Sequence, residues 1–156
     1  MTTPRPTIVF VCHGNICRSP MAERIARRAA AEAGIDAVIT SAGVSDEEDG
    51  NPMDRRARAV LERRGYDVSP HIARQIGADD IRGADLVVAA EPSHVRALSR
   101  MAPGASNLAL LRDFDPSVPP GTALVDPWYG DAAGFEVTAD QIEDAMPGII
   151  AALGAR

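Results

Sequence analysis

The chain has 156 residues, of which 46% are hydrophobic, and its formal net charge is −6. This length and apolar content suit one globular domain, residues 1–156, whose core buries about two-thirds of the surface of the unfolded chain. The negative charge argues against a nucleic-acid partner, and the sequence shows neither a signal peptide nor an apolar run near the ~18 residues of a membrane span. We therefore expect a cytoplasmic protein with no membrane partner, while secretion without a signal peptide stays open.

The absence of lysine and the low number of cysteines exclude several kinds of catalytic and metal site. All 16 basic residues are arginine, which excludes Schiff-base chemistry and a nucleotide-binding lysine. Cys12 and Cys17 are the only cysteines, and in a reducing compartment they do not form a disulfide framework. Together with His13 they crowd one loop, and no second Cys/His cluster completes a tetrahedral zinc site. We expect neither a metal nor another cofactor.

The first predicted elements are a strand and a helix joined by a short loop. A β-branched run predicts a strand over Ile8 to Val11, which delivers Cys12 to an edge of a sheet. Ser19 and Pro20 are typical of the N-cap and the first position of a helix, and the apolar spacing beyond them predicts a helix over Met21 to Ala33. The loop that Cys12 starts therefore ends on a helix N-terminus.

This loop has the features of a phosphate-binding site with a nucleophile at its floor. Inward-pointing N–H groups and the positive end of the helix dipole favour a dianion, and Gly14 permits close approach of the backbone. Arg18 adds a permanently charged fork that suits two phosphate oxygens. The same positive field favours the thiolate form of Cys12, which is the form that attacks. The alternative is that Cys12 is a small buried hydrophobe, but packing alone needs neither Arg18 nor Gly14.

Apolar runs further along the chain predict the rest of a parallel sheet. The additional predicted strands are Ala37 to Thr40, Leu86 to Ala90 and Leu108 to Leu111. Strands that alternate with helices predict an α/β fold, a single-domain three-layer α/β/α structure with a four-stranded parallel sheet and helices on both faces. Ligands of such sheets bind beyond the carboxyl ends of the strands, which is where Cys12 is predicted to lie.

Two later helices carry recognisable start and stop signals. Asn51-Pro52 opens the second predicted helix, and Gly65 closes it. Thr138 and Gln141 form a capping-box pattern before the last one. Within that last helix, Pro147-Gly148 predicts a bend.

Phosphoryl transfer to a thiol also needs a general acid, because a leaving oxygen departs faster when it is protonated. Two Asp-Pro pairs are candidates, at Asp115 and Asp126, and the proline restricts the backbone at both. Asp126 alone is followed by aromatic residues, Trp128 and Tyr129, which suit the wall of a slot for a phenyl ring. Asp115 precedes an ordinary connecting loop. We therefore predict that Asp126 is the acid and that Trp128 and Tyr129 line the substrate slot.

The motifs on these elements resemble those of the low-molecular-weight protein tyrosine phosphatases. The signature of that family is a cysteine, five residues and an arginine followed by Ser or Thr, and Cys12 to Ser19 match it. The resemblance continues through Ser41-Ala42-Gly43, His71 with Ala73-Arg74-Gln75, and Asp126-Pro127-Trp128-Tyr129-Gly130. It therefore covers essentially the whole chain.

The resemblance implies an enzyme that hydrolyses phosphotyrosine in proteins through a phosphocysteine intermediate. Cys12 is then the nucleophile, Arg18 binds phosphate oxygens, and Asp126 acts as acid and afterwards as base. The phosphate-binding loop comprises the neighbouring residues His13, Gly14, Asn15, Ile16, Cys17 and Ser19. Tyrosine-phosphorylated proteins are the expected partners, and of the oligomeric states, which the sequence does not fix, we favour a monomer.

Further residues have supporting roles. Asn15 tolerates left-handed backbone geometry, and the resemblance implies that it ties the loop to Ser41 and His71. The Ser19 hydroxyl has two candidate roles, a hydrogen bond to the Cys12 thiolate and the cap of the first helix. One hydroxyl is able to fill both.

Cys17 and the cleft rim have alternative interpretations. The resemblance implies that Cys17 forms a reversible disulfide with Cys12, and packing beneath the loop is the alternative.

Residues 46–49 are all acidic where many family members have an aromatic residue, and Trp128 stands where tyrosine is commoner. If the acidic stretch overhangs the cleft, it favours substrates with basic flanks; otherwise it is a solvated loop.

Rival functions on the same fold differ at single positions. Protein-arginine phosphatases usually have threonine where Ile16 stands, so Ile16 favours phosphotyrosine. Thioredoxin-coupled arsenate reductases carry a downstream cysteine pair, which this chain lacks. A phosphoprotein-binding module without catalysis would keep Arg18 but would need neither Cys12 nor Asp126.

Other polar residues are predicted to lie on the surface. His13 and His94 are interpreted as ordinary surface histidines. The arginine pairs at 55–56 and 63–64 are predicted to form solvated helix faces.

Overall fold

Strand β1 lies in the middle of the sheet. A computed structural model describes residues 5–155, and β1 (Thr7–Cys12) pairs in parallel with β2 (Val38–Gly43) on one side and β3 (Leu86–Ala89) on the other. Strand β4 (Leu108–Leu110) pairs with β3, which gives the order β2-β1-β3-β4. The predicted four-stranded parallel sheet is confirmed.

Helices cover both faces of this sheet. They are α1 (Arg18–Glu32), α2 (Arg55–Arg63), α3 (Ala78–Gly83), α4 (Pro92–Met101) and α5 (Ala132–Gly154). Successive side chains of a strand point to opposite faces, so Ile8 and Phe10 pack with α1, α2 and α5, while Val9 and Val11 pack with α3 and α4. The predicted three-layer α/β/α arrangement is therefore confirmed. Among residues 5–155, no helix is both long and apolar enough to cross a membrane.

Helix α2 begins later than Asn51-Pro52 predicted. The Asp54 side chain accepts a hydrogen bond from the backbone N–H of Arg56 at 2.8 Å, which makes Asp54 the N-cap. Gly65 follows the end of the helix at a φ of +80°, as its predicted closing role requires.

Helix α5 begins earlier than its predicted capping box. Asp131 caps it by accepting from the backbone N–H of Ala133 at 3.1 Å, so Thr138 lies inside the helix. The buried Thr138 hydroxyl instead shares its one proton between the carbonyls of Gly134 at 3.0 Å and Val125 at 3.1 Å. The capping-box prediction is wrong because Asp131 caps the helix about two turns earlier. The helix continues through Pro147, and the bend there stays a prediction.

Arg63 is exposed as predicted, but Arg64 is half-buried, which corrects the prediction for Arg64. Both donate to Glu136, at 2.7 and 2.6 Å, and Arg64 also donates to Asp140 at 2.9 Å. Glu136 and Asp140 belong to α5, so these ion pairs join α2 to α5 in one network rather than as isolated surface pairs.

The strand ends place the functional loops together. Because β1, β2 and β3 are parallel, their carboxyl ends meet at one edge of the sheet. Cys12 is level with Gly43, and Val11 is level with Ala89. The loops that follow these strands therefore converge on Cys12.

Candidate active site

Asn15 shapes the loop between β1 and α1. It is the one non-glycine residue with positive φ, 62°, in residues 5–155, and its side chain is fully buried. Its amide nitrogen donates to the hydroxyls of Ser19 (2.8 Å) and Ser41 (3.0 Å), and its amide oxygen accepts from the backbone N–H of Arg74 (3.1 Å). Its carbonyl oxygen lies 2.7 Å from Nε2 of His71. The structure thus brings Asn15, Ser41 and His71 together as the sequence predicted.

Ser19 lies beside the sulfur of Cys12, with 3.0 Å between Oγ and Sγ. Because Asn15 donates to the same hydroxyl, the proton of Ser19 is free to point at Cys12 when the sulfur is a thiolate. The predicted cap role is wrong: α1 begins at Arg18, and no side chain caps it at Cys17.

Arg18 is buried and held from two sides. Its Nη1 donates to Glu91 at 2.8 Å and to the carbonyl of Leu124 at 3.2 Å, while Nη2 lies 3.5 Å from Oδ2 of Asp126. Two segments that are remote in sequence, one with Glu91 and one with Leu124 and Asp126, therefore fix the plane of one guanidinium group. A fork fixed in this way is ready to contact two oxygens of one anion.

The two Asp-Pro pairs have different surroundings. Asp126 lines the same cleft as Cys12 and Arg18, and its Oδ1 accepts from the backbone N–H of Trp128 at 3.1 Å. Asp115 instead folds onto its own turn, where its Oδ1 accepts from the hydroxyl of Ser117 at 2.7 Å and from the N–H of the same residue at 3.0 Å. These bonds lower the pKa of Asp115 below its usual value. The cleft thus contains Asp126 and not Asp115.

The cleft has a volume of about 500 Å³, and the loop between β1 and α1 forms its floor. Trp128 and Tyr129 stand at its mouth and are 45% and 88% exposed. A polar floor below an aromatic rim is chemically suited to a phosphate group carried on a flat apolar ring. Ile16 also lines the cleft, beside the cysteine loop.

Part of the acidic stretch forms another wall of the cleft. Glu47 and Glu48 line it, whereas Asp46 and Asp49 do not. Oε2 of Glu47 lies 3.2 Å from Nε2 of His13, which is an exposed residue as predicted. Two of the four acidic side chains therefore overhang the site.

Gly43 allows the loops after β1 and β2 to touch through their backbones. A Cβ atom at Gly43 would lie 2.6 Å from the carbonyl oxygen of His13, a separation that real Cβ atoms do not adopt. The residue after this contact, Val44, donates its N–H to the carbonyl of Cys12 at 3.0 Å. The geometry of these two loops therefore requires glycine at position 43.

Glu91 is a residue of the site that sequence reasoning missed. Partial burial raises its pKa, but hydrogen bonds from Ser93 and Arg18 outweigh this and hold the pKa at about 2. Glu91 is therefore a carboxylate at neutral pH, and it neutralises the buried Arg18. A sequence signal for Glu91 was available, because this residue follows β3 and so lies at the same edge of the sheet as Cys12.

His94 is not a surface residue, which corrects its prediction. It lies on α4, it is only 4% exposed, and it lines the cleft. Burial lowers its pKa from 6.5 to about 4, and the positive charge of Arg18 adds to this effect. Its Nδ1 has no hydrogen-bond partner among residues 5–155. His94 is therefore neutral at physiological pH.

Cys17 is buried on the inner side of the loop, and it also lines the cleft. Burial raises the pKa of its thiol, and the nearby negative charge of Asp54 raises it further. Both cysteines are free, not disulfide-bonded. Cys17 is therefore present as a thiol close to the floor of the cleft.

A buried charge network supports the loop from below, and the sequence did not reveal it. Ser41 donates to Oε1 of Glu23 at 3.0 Å, and Oε2 of Glu23 pairs with Arg24 at 2.9 Å. Glu23 and Arg24 are both buried in α1. Surface charges at these positions would have the same sequence pattern, so no local signal distinguished them.

The cleft combines a sulfur nucleophile, a fixed cation and a carboxyl group. Cys12 lies at the carboxyl end of β1, Arg18 at the start of α1 and Asp126 in the loop before α5. Within residues 5–155, no group of three or more His, Cys, Asp or Glu side chains is arranged to hold a metal ion. These groups suit the transfer of a phosphoryl group to sulfur, with a proton supplied to the leaving oxygen.

Comparisons with known proteins agree with this chemistry. The family model described as low molecular weight phosphotyrosine protein phosphatase matches residues 7–156. A low molecular weight protein-tyrosine-phosphatase of Streptomyces coelicolor is 42% identical over 152 residues, which cover 94% of this chain and 92% of the relative. Low molecular weight protein-tyrosine phosphatase A of Mycobacterium tuberculosis is 41% identical over 145 residues, covering 91% and 88%.

The fold is also similar to that of a solved phosphatase. The crystal structure of protein tyrosine phosphatase from Entamoeba histolytica, with Hepes in the active site, matches with a TM-score of 0.90 and 29% identity. The match covers 96% of this chain and 97% of the other. Sequence and structure comparisons therefore point to the same family over nearly the whole length.

Burial of neutral His94 predicts a pH dependence of stability. Its folded pKa of about 4 lies below the usual 6.5, so the unfolded chain binds more protons between these values. The contribution of His94 is fully present above pH 6.5 and is lost as the pH falls to 4. We expect His94→Asn to remove this loss, which urea denaturation at stepped pH measures as a smaller fall in the free energy of unfolding. Equal falls in both proteins would contradict the prediction.

Proposed function

Because this chain belongs to the low molecular weight phosphotyrosine protein phosphatase family, we propose that it hydrolyses phosphotyrosine in proteins with Cys12 as the nucleophile. One observation carries the residue assignment: Asp126, which is far along the chain from the loop that contains Cys12 and Arg18, lines the same cleft as these two residues. The distance of 3.5 Å between Arg18 and Asp126 supports it, because a phosphate held by Arg18 lies within reach of Asp126.

In the first step, the Cys12 thiolate attacks phosphorus in line with the tyrosine oxygen. A sulfur–phosphorus bond forms while the phosphorus–oxygen bond to tyrosine breaks, and protonated Asp126 gives its proton to the departing oxygen. Arg18 and the N–H groups of the loop hold the remaining phosphate oxygens. Ser19 donates to the sulfur from 3.0 Å and stabilises its thiolate form.

In the second step, water releases the phosphate. Asp126, now a carboxylate, takes a proton from water as the water oxygen attacks phosphorus. The phosphorus–sulfur bond breaks, so inorganic phosphate leaves and the Cys12 thiolate is restored. Two modest barriers replace one large barrier, which is the benefit of a covalent intermediate.

The rim of the cleft supports an aromatic phosphoester as the substrate. Trp128 and Tyr129 are exposed at the mouth, where their rings are free to stack against a phenyl ring above the floor. The exposure of Tyr129 also leaves room for the protein chain that carries the phosphotyrosine. Ile16 in the cleft wall favours phosphotyrosine over phosphoarginine, following the family pattern.

We also propose that Cys17 protects Cys12 from irreversible oxidation. Peroxide converts the Cys12 thiolate to a sulfenic acid, and attack by Cys17 on that sulfur expels water and forms a disulfide. Burial and the charge of Asp54 keep Cys17 protonated, so the peroxide reacts first at Cys12. A dithiol then restores both thiols.

Cys12→Ser tests the nucleophile. We expect the wild-type protein to turn over a phosphotyrosine peptide faster than a phosphoarginine peptide, and the variant to turn over neither. Vanadate should still bind to the variant, because Arg18 and the loop N–H groups remain, and calorimetry measures that binding. Near-wild-type turnover by the variant would refute the mechanism.

Asp126→Asn and Asp115→Asn separate the two Asp-Pro pairs. Loss of the acid at 126 should lower kcat/KM for a phosphotyrosine peptide by on the order of a hundredfold, and less for an acidic phenol that leaves without a proton. Asp115→Asn is the matched control, since its amide oxygen still accepts the bonds from Ser117. The reverse order of effects would move the acid to Asp115.

Cys17→Ser tests the redox proposal. After mild peroxide treatment and then dithiothreitol, wild-type activity should recover, whereas the variant should recover poorly because its Cys12 oxidises beyond the sulfenic acid. Mass spectrometry of the treated wild-type protein should find a Cys12–Cys17 disulfide. Equal recovery of the two proteins would leave Cys17 a packing residue only.

A further inference from the structure

The two arginines that open α2 have different surroundings, which corrects the prediction of a solvated pair. Arg55 is exposed and makes no hydrogen bond or ion pair within residues 5–155. The side chain of Arg56 is 37% exposed and contacts residues on two other segments. The mechanism described above uses neither arginine.

Asp54 fixes the direction of Arg56. The Asp54 carboxylate accepts from Nε of Arg56 at 3.2 Å and from Nη2 at 3.1 Å, in addition to the helix-capping bond from the backbone N–H of Arg56. Partial burial raises the pKa of Asp54, but its hydrogen bonds with Arg56 together lower the pKa by more than burial raises it. The net pKa of Asp54 is therefore below the usual value. The guanidinium is thus held by a fork of two charge-assisted bonds.

The other side of this guanidinium faces the loop that carries Asp126. Nη1 of Arg56 donates to the carbonyl of Gly130 at 3.3 Å. The same group lies 4.6 Å from the ring centre of Phe135 and 5.5 Å from that of Trp128, both within cation–π range. Phe135 is fully buried in α5, so it provides a fixed surface for the guanidinium.

The carboxylate of Asp126 depends on that loop. Upstream, the backbone of Val125 is held by bonds with Gln141 (3.0 Å) and Thr138 (3.1 Å) of α5. Downstream, Oδ1 of Asp126 accepts from the N–H of Trp128, the residue beside the Arg56 guanidinium. A displacement of Trp128 would therefore move the acid itself.

The segment that contains Asp54 and Arg56 is also joined to the loop that carries the nucleophile. The backbone N–H of Asp54 donates to the carbonyl of Ile16 at 2.9 Å. A continuous chain of contacts therefore leads from the cysteine loop through Asp54 and Arg56 to Gly130 and Trp128. It spans the two sides of the cleft, one with the nucleophile and one with the acid.

We propose that Arg56 is a positioning residue that holds Asp126 at proton-transfer distance from the leaving oxygen, and that Asp54 ties this position to the phosphate-binding loop. This inference rests on the proposed function, because it requires Asp126 to be the acid. Arg56 itself does not line the cleft.

The test is the dependence of Arg56→Gln on the leaving group. Glutamine loses the fork and the cation–π contacts, so kcat/KM for a phosphotyrosine peptide should fall by roughly tenfold, which is about 1.4 kcal/mol in the barrier. With an aryl phosphate whose phenol is strongly acidic, the fall should be less than about threefold, because that phenol leaves without a proton. Arg55→Gln, on the adjacent exposed arginine, should change neither value.

A double-mutant cycle with Asp126→Asn separates positioning from general damage. Once the acid is absent, Arg56→Gln should lower kcat/KM by no more than about twofold further, because a residue that acts through Asp126 has nothing left to position. Equal losses on both substrates, or multiplicative losses in the double variant, would overturn the proposal. If Arg56→Gln does not fold, as judged by its melting transition, Arg56→Lys, which keeps the charge but not the fork, takes its place in the same cycle.

Failure of the proposed function would give a different result. If Asp126→Asn itself shows no dependence on the leaving group, the acid assignment falls, and the positioning proposal falls with it. If Asp126→Asn behaves as expected and Arg56→Gln is additive to it, only the positioning proposal is wrong.

Discussion

The geometry of the site depends on one buried asparagine in a left-handed conformation. Asn15 holds a φ of 62° that L-residues adopt only at a cost, and hydrogen bonds through its amide and its carbonyl maintain it. Each such bond contributes about 0.5–1.5 kcal/mol net, and a buried amide without them would lose about 1–3 kcal/mol per unsatisfied group. The bonds reach α1, β2 and the segment at 71–74, so three parts of the fold jointly bend the loop around the space above Cys12.

Charge compensation is the second condition for the site. Arg18 is buried, and an unpaired buried cation would be strongly destabilising. Glu91 neutralises it at 2.8 Å, while the neutral state of His94 avoids a second positive charge nearby. The cleft therefore keeps its cation oriented without a ligand. A phosphate dianion then enters a site whose donors are already aligned, which lowers the reorganisation that catalysis requires.

The sequence predicted those features that are encoded locally. Apolar runs marked the four strands, and the spacing of Cys12 and Arg18 on either side of a glycine marked the loop. It failed where a residue acts through distant partners. Glu23 and Arg56 have the sequence pattern of solvated helix charges, and only the fold supplies Ser41 and Gly130 as their neighbours. His94 was predicted to be an ordinary surface histidine, but the tertiary packing of α4 buries it. Thr138 was predicted to cap the last helix, but the helix begins earlier, where Asp131 is the N-cap.

The backbone contact at Gly43 divides the cleft into a part that tolerates change and a part that does not. The carbonyl of His13 would lie 2.6 Å from any Cβ at Gly43, so the floor permits no wider loop and no added side chain. Glu47 and Tyr129, in contrast, lie on the exposed rim of the cleft. Evolution and protein engineering can therefore diversify the recognised target by exchanging rim residues, while the bond-breaking chemistry beneath is inherited unchanged.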